Sequence, residues 1–204
     1  MEKILSYKPD LVYMSDVMHN YMIDQLNSYG IKYYLSTANS IAGVEKEILD
    51  IGEITGHVEQ AKNVVSQMEE KLASVKGKLP TGDVNYQGGA PKLYYEVWNV
   101  PYMSAGAQSF INEVISAAGA QNIFSDVNDA YPIVSEESII SRQPEIIIIP
   151  ASSGVTVADV KQRAGWQTIP AVQNNKIFIV DDNVYTRPGP RIADVVVELA
   201  ELIK

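Results

Sequence analysis

Short apolar segments alternate with amphipathic segments in the first quarter of the chain. The pattern predicts a strand at residues 11–13, a helix over residues 17–28 that ends at Gly30, a strand over residues 31–35 and a helix over residues 41–55. Such alternation is typical of a sheet whose strands are joined by helical crossovers. Only two strands are predicted here, which is few for a sheet that must bury two helices.

A different pattern runs from His57 to Lys76. Apolar residues recur every three or four positions and form one narrow stripe, made of Val58, Ala61, Val65, Met68, Leu72 and Val75. Lys and Glu occupy much of the remaining surface. The spacing predicts a single helix roughly 30 Å long. A helix with so thin a stripe lies across a surface, either as a surface helix of one domain or as a rigid spine between two lobes.

A second α/β unit is predicted after residues 77–91, whose Gly, Pro and polar residues indicate a loop or a domain boundary. The predicted strands are residues 92–97, 146–149 and 177–180, and the predicted helices are residues 109–118, 135–142 and 190–203. Pro190 is expected in the first turn of the last helix, where its missing N–H costs nothing. The sequence therefore predicts an α/β fold built from a short unit, a long helix and a longer unit.

Composition narrows the classes of function. Hydrophobic residues make up 46% of the chain and the formal net charge is −9, with no basic cluster, so nucleic acid is not an expected partner. The chain has no cysteine, which excludes disulfides, thiol catalysis and cysteine-ligated metal sites. No apolar run approaches the roughly 20 residues that span a bilayer.

Catalytic signatures are also lacking in the sequence. The histidines are His19 and His57, too few for a metal site built on several imidazoles. There is no G-x-S-x-G, H-E-x-x-H, P-loop or G-x-G-x-x-G motif. Asp181 and Asp182 follow a predicted strand, where carboxylates could bind a metal, but a solvated turn explains them equally well. We therefore predict no catalytic residue, no resident metal and no cofactor.

Aromatic and amphipathic residues instead gather at predicted strand ends and in loops. Ligands of open α/β sheets bind beyond the carboxyl ends of the strands, and aromatic rings there offer a broad contact surface to a large, partly apolar ligand. The predicted ligand-binding residues are Tyr13, Trp98, Tyr102, Met103, Tyr131, Tyr185 and Arg187.

Several segments resemble, in order and spacing, the motifs of the substrate-binding proteins of ABC importers that have a helical backbone, the vitamin B12 and ferric-siderophore binding family. They are residues 2–12 (EKILSYKPDLV), 52–56 (GEITG), 95–106 (YEVWNVPYMSAG), 117–124 (AAGAQNIF), 134–147 and 187–192 (RPGPRI). Each segment is a weak match alone, but together they cover nearly the whole chain.

The resemblance implies two Rossmann-like α/β lobes joined by a long backbone helix. Residues 1–56 would form a partial N-terminal lobe, residues 57–78 the linking helix and residues 79–204 the C-terminal lobe. Family members carry an export signal and further residues before the segment that resembles 2–12. We therefore expect a truncated first lobe, weak ligand binding or none by this chain, and self-association through the surface that the truncation exposes.

The resemblance further implies an extracytoplasmic protein, periplasmic or a membrane-anchored lipoprotein, that captures a metal chelate and delivers it to an ABC permease and its ATPase. By motif position, Glu2 and Glu137 would dock on the permease, although Glu136 is close enough to exchange places with Glu137. Capping of helix N-termini is the alternative role for these carboxylates.

Other functions stay open at this point. A receptor for haem or another metal chelate could use Tyr102, Tyr131 or Tyr185 as an iron ligand. An enzyme on a two-lobed α/β fold and a free-standing interaction domain are further alternatives. Arg187 is the one clear basic residue expected at the pocket edge, since Arg191 starts a helix and Arg142 and Arg163 are expected on helices away from strand ends. This shortage of positive charge favours a corrinoid over an anionic siderophore complex.

Overall fold

A computed structural model describes residues 1–76 and 89–204. Most of the predicted loop at residues 77–91 therefore lies outside the described residues. The predicted end of the linking helix at 78 and the predicted start of the last lobe at 79 also lie outside them. Contacts divide the chain into two compact units, Met1–Asn39 and Ser40–Lys204. The predicted lobe boundaries at residues 56 and 78 stay a prediction.

The first unit is a two-stranded parallel sheet with short helices. Its elements are α1 (Glu2–Ser6), β1 (Val12–Ser15), α2 (Asp16–His19), a 3-10 turn (Asn20–Met22), α3 (Ile23–Ser28) and β2 (Tyr33–Ser36). The strands pair in parallel from Val12 opposite Tyr33 to Ser15 opposite Ser36. Among the residues of this unit whose burial is described, Met14 and Leu26 are the buried apolar ones, a small core.

The prediction of one continuous helix over residues 17–28 is wrong. The helical backbone breaks at His19, whose φ and ψ are −132° and 1°. The His19 Nδ1 accepts a hydrogen bond from the Ser15 amide at 3.3 Å, an interaction local to α2. In α3 only Leu26 is buried. Because packing supplies most of the stability of a helix in a protein, so little burial leaves short segments.

Two long helices open the second unit. Helix α4 (Ile41–Thr55) begins at Ser40, whose side chain accepts from the Gly43 amide, and ends at Gly56 in the left-handed conformation. Helix α5 (Val58–Lys76) confirms the predicted long helix. Most of its predicted stripe is buried, although Val58 is exposed and Leu72 is only partly covered. The stripe packs against α4 and against α11 (Ile192–Ile203).

A five-stranded sheet forms the centre of the second unit. The strands are β3 (Lys92–Asn99), β4 (Tyr102–Ser104), β5 (Gln121–Asn122), β6 (Ile146–Pro150) and β7 (Ile177–Val180). The order is β4-β3-β6-β7, with β5 beside the start of β3. All pairs are parallel except β3 with β4. The three predicted strands are confirmed, while β4 and β5 were too short to leave a pattern.

Both faces of this sheet are covered, since every residue of β6 is buried, and six helices lie between or after its strands. They are α6 (Phe110–Ala117), α7 (Glu136–Arg142), α8 (Val157–Gln162), α9 (Pro170–Gln173), α10 (Asp182–Tyr185) and α11. Helices α6, α7 and α11 confirm predicted elements, and α8, α9 and α10 were not predicted. Pro190 is not in the first turn of α11, because that helix begins at Ile192 with Arg191 as its N-cap. None of the described helices is long and apolar enough to cross a bilayer.

Alternation along the strands divides the core between the two faces of the sheet. Tyr94, Ile147 and Ile149 belong to a cluster that includes Trp166 and Phe124. The ring of Tyr94 makes edge contacts with both aromatic neighbours, at centroid distances of 6.0 Å to Trp166 and 6.3 Å to Phe124. This packing fixes β3 and therefore the polar residues that follow Tyr94 on the same face.

Candidate functional site

The hairpin of β3 and β4 carries three predicted ligand-binding residues, Trp98 and Met103 on one face and Tyr102 on the other. Trp98 lies opposite Met103, and Asn99 lies opposite Tyr102. The register shifts between Glu96 and Trp98, as in a β-bulge, a feature that re-aims side chains at sheet edges. The Trp98 ring is 51% exposed and its Nε1 donates to the Val100 carbonyl at 3.0 Å. The hairpin thus presents an indole at the carboxyl end of β3.

Tyr131 joins this group through the chain segment that leads into α7. The Ser104 amide donates to the Pro132 carbonyl at 3.1 Å, and the Val134 amide donates to the Tyr102 carbonyl at 2.9 Å. These bonds hold the segment antiparallel to β4 and place Tyr131 beside it. Its ring is 44% exposed, and burial of the hydroxyl raises the pKa of Tyr131. We call Trp98, Met103 and Tyr131 the aromatic surface, because the register places them on one face of the hairpin, whereas Tyr102 lies on the other face.

A buried ion pair lies behind the aromatic surface. Glu96 is fully buried, and its two carboxylate oxygens accept hydrogen bonds from Arg163 at 2.5 and 2.8 Å. The guanidinium stacks over the rings of Trp166 and Tyr102, at 4.5 and 5.1 Å from their centroids. Burial alone would lower the pKa of Arg163, but the bonds and charge of Glu96 raise it overall. Arg163 therefore stays positively charged, and both terminal nitrogens of its guanidinium are bonded to Glu96.

The expected position of Arg163 away from the strand ends is wrong. Its backbone leaves α8 in an extended conformation, so the side chain reaches β3 instead of projecting from a helix surface. The sequence contained a signal for this pair. Glu96 sits within an otherwise apolar strand, and a carboxylate buried in a sheet needs a cationic partner. The partner, 67 positions further along, carried no such signal.

Glu136 connects α7 to the same group of side chains. It is half-buried and accepts a hydrogen bond from the Trp166 Nε1 at 2.7 Å and a longer one from the Tyr102 hydroxyl at 3.4 Å. Burial raises the pKa of Tyr102, Arg163 opposes the shift and Glu136 adds to it. Glu137, the next residue, is exposed. Of the two neighbouring carboxylates, Glu137 is therefore the one open to a partner.

A recess of about 380 Å³ opens at the carboxyl ends of β3 and β6. Its polar lining comes from the end of β3, the start of β4, the loop after β6 and the helix α8, and includes Asn99, Tyr102, Ser153, Gly154, Asp159 and Arg163. Tyr102 lines this recess, which lies on the other side of the hairpin from the aromatic surface. Both features lie at the edge where parallel α/β sheets bind ligands, and together they are the candidate site.

Tyr185 and Arg187 lie in and after α10. Tyr185 is only 4% exposed, and burial, with a smaller contribution from Glu198, raises its pKa. A ligand would reach this ring only after its neighbours moved. Arg187 is exposed and donates to the Asn183 side chain at 2.8 Å. A ligand-binding role for Tyr185 and Arg187 stays a prediction.

The remaining predicted site residues belong to the first unit. The Tyr13 ring is half exposed and stacks on Tyr34, with centroids 5.8 Å apart and planes at 11°. Glu2 is exposed in the first turn of α1. That these residues act with the aromatic surface stays a prediction.

The acidic pair after β7 has structural partners. Asp181 caps α10 by accepting from the Asn183 amide at 3.0 Å. Asp182 accepts from the Ser152 amide and hydroxyl at 3.1 and 2.9 Å, which joins the loops after β6 and β7. Across residues 1–76 and 89–204, no three His, Cys, Asp or Glu residues are grouped as metal ligands would be.

Known proteins resemble this chain in sequence and in fold. Residues 1–184 match the family described as periplasmic binding protein. The chain belongs to this family. The α/β class predicted from the sequence is thereby confirmed, as is the resemblance to substrate-binding proteins of ABC importers.

Two curated relatives of this periplasmic binding protein cover almost the whole chain. The cobalamin-binding protein of Halobacterium salinarum is 28% identical over 98% of the chain and 54% of its own length. An uncharacterised ABC transporter substrate-binding lipoprotein of Bacillus subtilis, YvrC, is 31% identical over 100% of the chain and 64% of its own length. The chain thus spans about half to two thirds of these relatives.

A solved structure has the same fold. A possible iron-binding, periplasmic solute-binding protein from Staphylococcus epidermidis superimposes with a TM-score of 0.82 at 30% identity, over 99% of this chain and 79% of that one. All three similar proteins have names that describe binding and not catalysis.

Proposed function

We propose that this periplasmic binding protein captures a corrinoid or an iron-siderophore complex outside the cytoplasm and delivers it to an ABC permease and its ATPase. The observation that carries the proposal is the aromatic surface at the carboxyl edge of the sheet. Trp98, Met103 and Tyr131 share one face there and come from two separate chain segments. Such rings suit a large, partly apolar ligand, and the names of the similar proteins support a metal chelate.

A corrinoid is the preferred ligand. The positive charge beside Tyr102 and the recess is that of Arg163, and Glu96 neutralises it. An anionic siderophore complex would need free cations here, whereas the amide arms of a corrinoid do not. The name of the relative from Halobacterium salinarum supports this choice.

Haem is the second candidate, because an exposed tyrosine is a ligand for haem iron. Tyr131 is the exposed tyrosine of the aromatic surface. One substitution separates the two proposals. Tyr131→Phe removes the hydroxyl but keeps the ring, so a corrinoid receptor should retain its affinity within about threefold, whereas a haem receptor should lose its iron–tyrosinate absorbance band.

The experiment is a spectroscopic titration of the protein with cyanocobalamin, haemin and ferric citrate. We expect a change of the cyanocobalamin spectrum, and a loss of affinity of about tenfold in Tyr131→Ala, since a buried aromatic contact contributes on the order of 1–2 kcal/mol. Tyr29→Ala, an exposed tyrosine that follows α3, is the control. Binding of none of the three probes, either by this chain or by a version extended at its N-terminus, would overturn the proposed function.

The permease contacts are part of the proposal. Glu137 and Glu2 each lie exposed in the first turn of a helix, where a carboxylate is available to an arginine of a partner. We further infer that residues 1–56 act as one lobe, residues 57–78 as the link and residues 79–204 as the second lobe, with small closure movements because a helical link resists bending.

A further inference from the structure

The recess beside the aromatic surface contains more negative than positive charge. Arg163 is its cation, and both terminal nitrogens of the guanidinium are bonded to Glu96. Asp159 is exposed on the wall of the recess. Its Oδ2 accepts from the amide and hydroxyl of Thr156, and the hydroxyl bond lowers the pKa of Asp159. The recess and the groups directly behind it therefore contain one positive charge and two negative charges.

The rest of the lining is uncharged. Asn99 contributes a side-chain amide and Tyr102 a hydroxyl, while Val100 and Val155 contribute apolar surface. Gly154 has a φ of 68° and leaves that wall open. The recess therefore offers hydrogen-bond donors and acceptors of the kind that pair with a neutral amide.

An anionic group entering the recess would gain little. Its attraction to Arg163 is cancelled by Glu96, a few ångströms further in, and it would be repelled by Asp159. A carboxamide, in contrast, can donate its N–H to Asp159 and accept from Asn99. Because charge differences at an exposed site are screened by water, the discrimination should be moderate.

We propose that this recess admits an uncharged, hydrogen-bonding arm of the ligand, such as a primary carboxamide, and rejects a carboxylate or phosphate. Glu96 and Asp159 are the specificity-determining residues, Glu96 through its hold on Arg163 and Asp159 by direct contact. The inference rests on the proposed function, since it names the chemical class that the same site selects.

The test uses two nearly isosteric probes, cyanocobalamin and its monocarboxylate, in which one peripheral carboxamide is hydrolysed. Equilibrium dialysis at high protein concentration measures the ratio of their affinities even when binding is weak. The native protein should prefer the carboxamide for the arm that enters the recess. Asp159→Asn should reduce that preference about fivefold. Glu145→Gln, the same loss of charge at the opposite end of β6, should leave the ratio unchanged.

Glu96→Gln gives a gain of function that a structural role cannot produce. It frees the charge of Arg163, so affinity for the monocarboxylate should rise about tenfold while affinity for cyanocobalamin changes little. If neither corrinoid binds to the native protein, the proposed corrinoid function fails and the inference with it. If both bind equally well, or if Asp159→Asn leaves the ratio unchanged, the inference fails and the proposed function stands.

Discussion

At the scale of single residues, the candidate site depends on the positive charge of Arg163, which a buried carboxylate neutralises. Glu96 is buried within β3, and Arg163 reaches it from the end of α8 with 12% of its side chain exposed. Burying either charge alone is costly, whereas the pair, with its stacked rings, satisfies both groups. The pair therefore fixes the position of Tyr102, on which the guanidinium stacks.

This balance predicts an asymmetric mutational response. Arg163→Met should destabilise the protein by about 3–5 kcal/mol, because it leaves Glu96 buried without a partner. Arg142→Met is the matched control, since Arg142 also bonds a carboxylate bidentately and stacks on a ring, that of Phe124. Its carboxylate partner Asp126 is exposed, and the Ile123 carbonyl that Arg142 also bonds is uncharged, so that loss should be smaller, about 1–2 kcal/mol. Urea unfolding of both variants measures the difference. Equal losses would contradict the buried-pair argument.

At the scale of elements, much of the fold was predictable from periodicity. Helix α5 and strand β6 have regular apolar patterns because their burial is regular, and both appear as predicted. Helices α8 and α10 have six and four residues, too few for a period, and were missed. Trp98, Tyr102, Met103 and Tyr131 were assigned to ligand binding from their places at strand ends and in loops, and that role stays a prediction. The ion pair behind the aromatic surface was not predicted, since no local rule connects residues on different elements.

The contact between α4 and α5 gives a prediction at this scale. A Cβ added at Gly52 would lie 2.4 Å from the Cβ of Ala61. Alanine normally stabilises a helix relative to glycine by about 1 kcal/mol, but here Gly52→Ala should destabilise the protein by about 1–3 kcal/mol. Adding Ala61→Gly should restore much of the loss by reopening the space. A higher melting temperature for Gly52→Ala, measured by circular dichroism, would refute the close packing.

At the scale of the whole molecule, the two units differ in how much of their apolar surface is buried within the unit. The sheet of the second unit is covered on both faces, since every residue of its strand β6 is buried, as parallel sheets require. The first unit has two strands and leaves Tyr7 and Tyr21 each 73% exposed. Large exposed rings favour association between proteins.

We therefore expect reversible self-association. The mean mass from analytical ultracentrifugation should rise with protein concentration, and Tyr7→Ser with Tyr21→Ser should reduce that rise. Val100→Ser, at an equally exposed position in the second unit, should have little effect. A constant monomer mass up to the highest concentration would contradict this expectation.

The last prediction concerns delivery to the transporter, which involves both units. Glu2 and Glu137 are exposed in the first turns of α1 and α7. A carboxylate in that place also stabilises its helix, by about 0.3–1 kcal/mol, so capping alone could explain both residues. The two roles differ in their response to charge reversal. Glu2→Arg with Glu137→Arg should abolish stimulation of the cognate transporter's ATPase while ligand affinity stays unchanged, because neither residue belongs to the aromatic surface.

Two controls separate docking from capping. Glu201→Arg, an exposed position on α11, should leave stimulation normal. Glu136→Gln tests the neighbouring carboxylate, whose bonds to Trp166 and Tyr102 assign it to the ligand side of α7. It should therefore alter ligand affinity more than stimulation at saturating ligand. Normal stimulation with both Glu2 and Glu137 reversed would leave only the capping role. A docking carboxylate binds an arginine of the permease, and an arginine in its place would repel that partner.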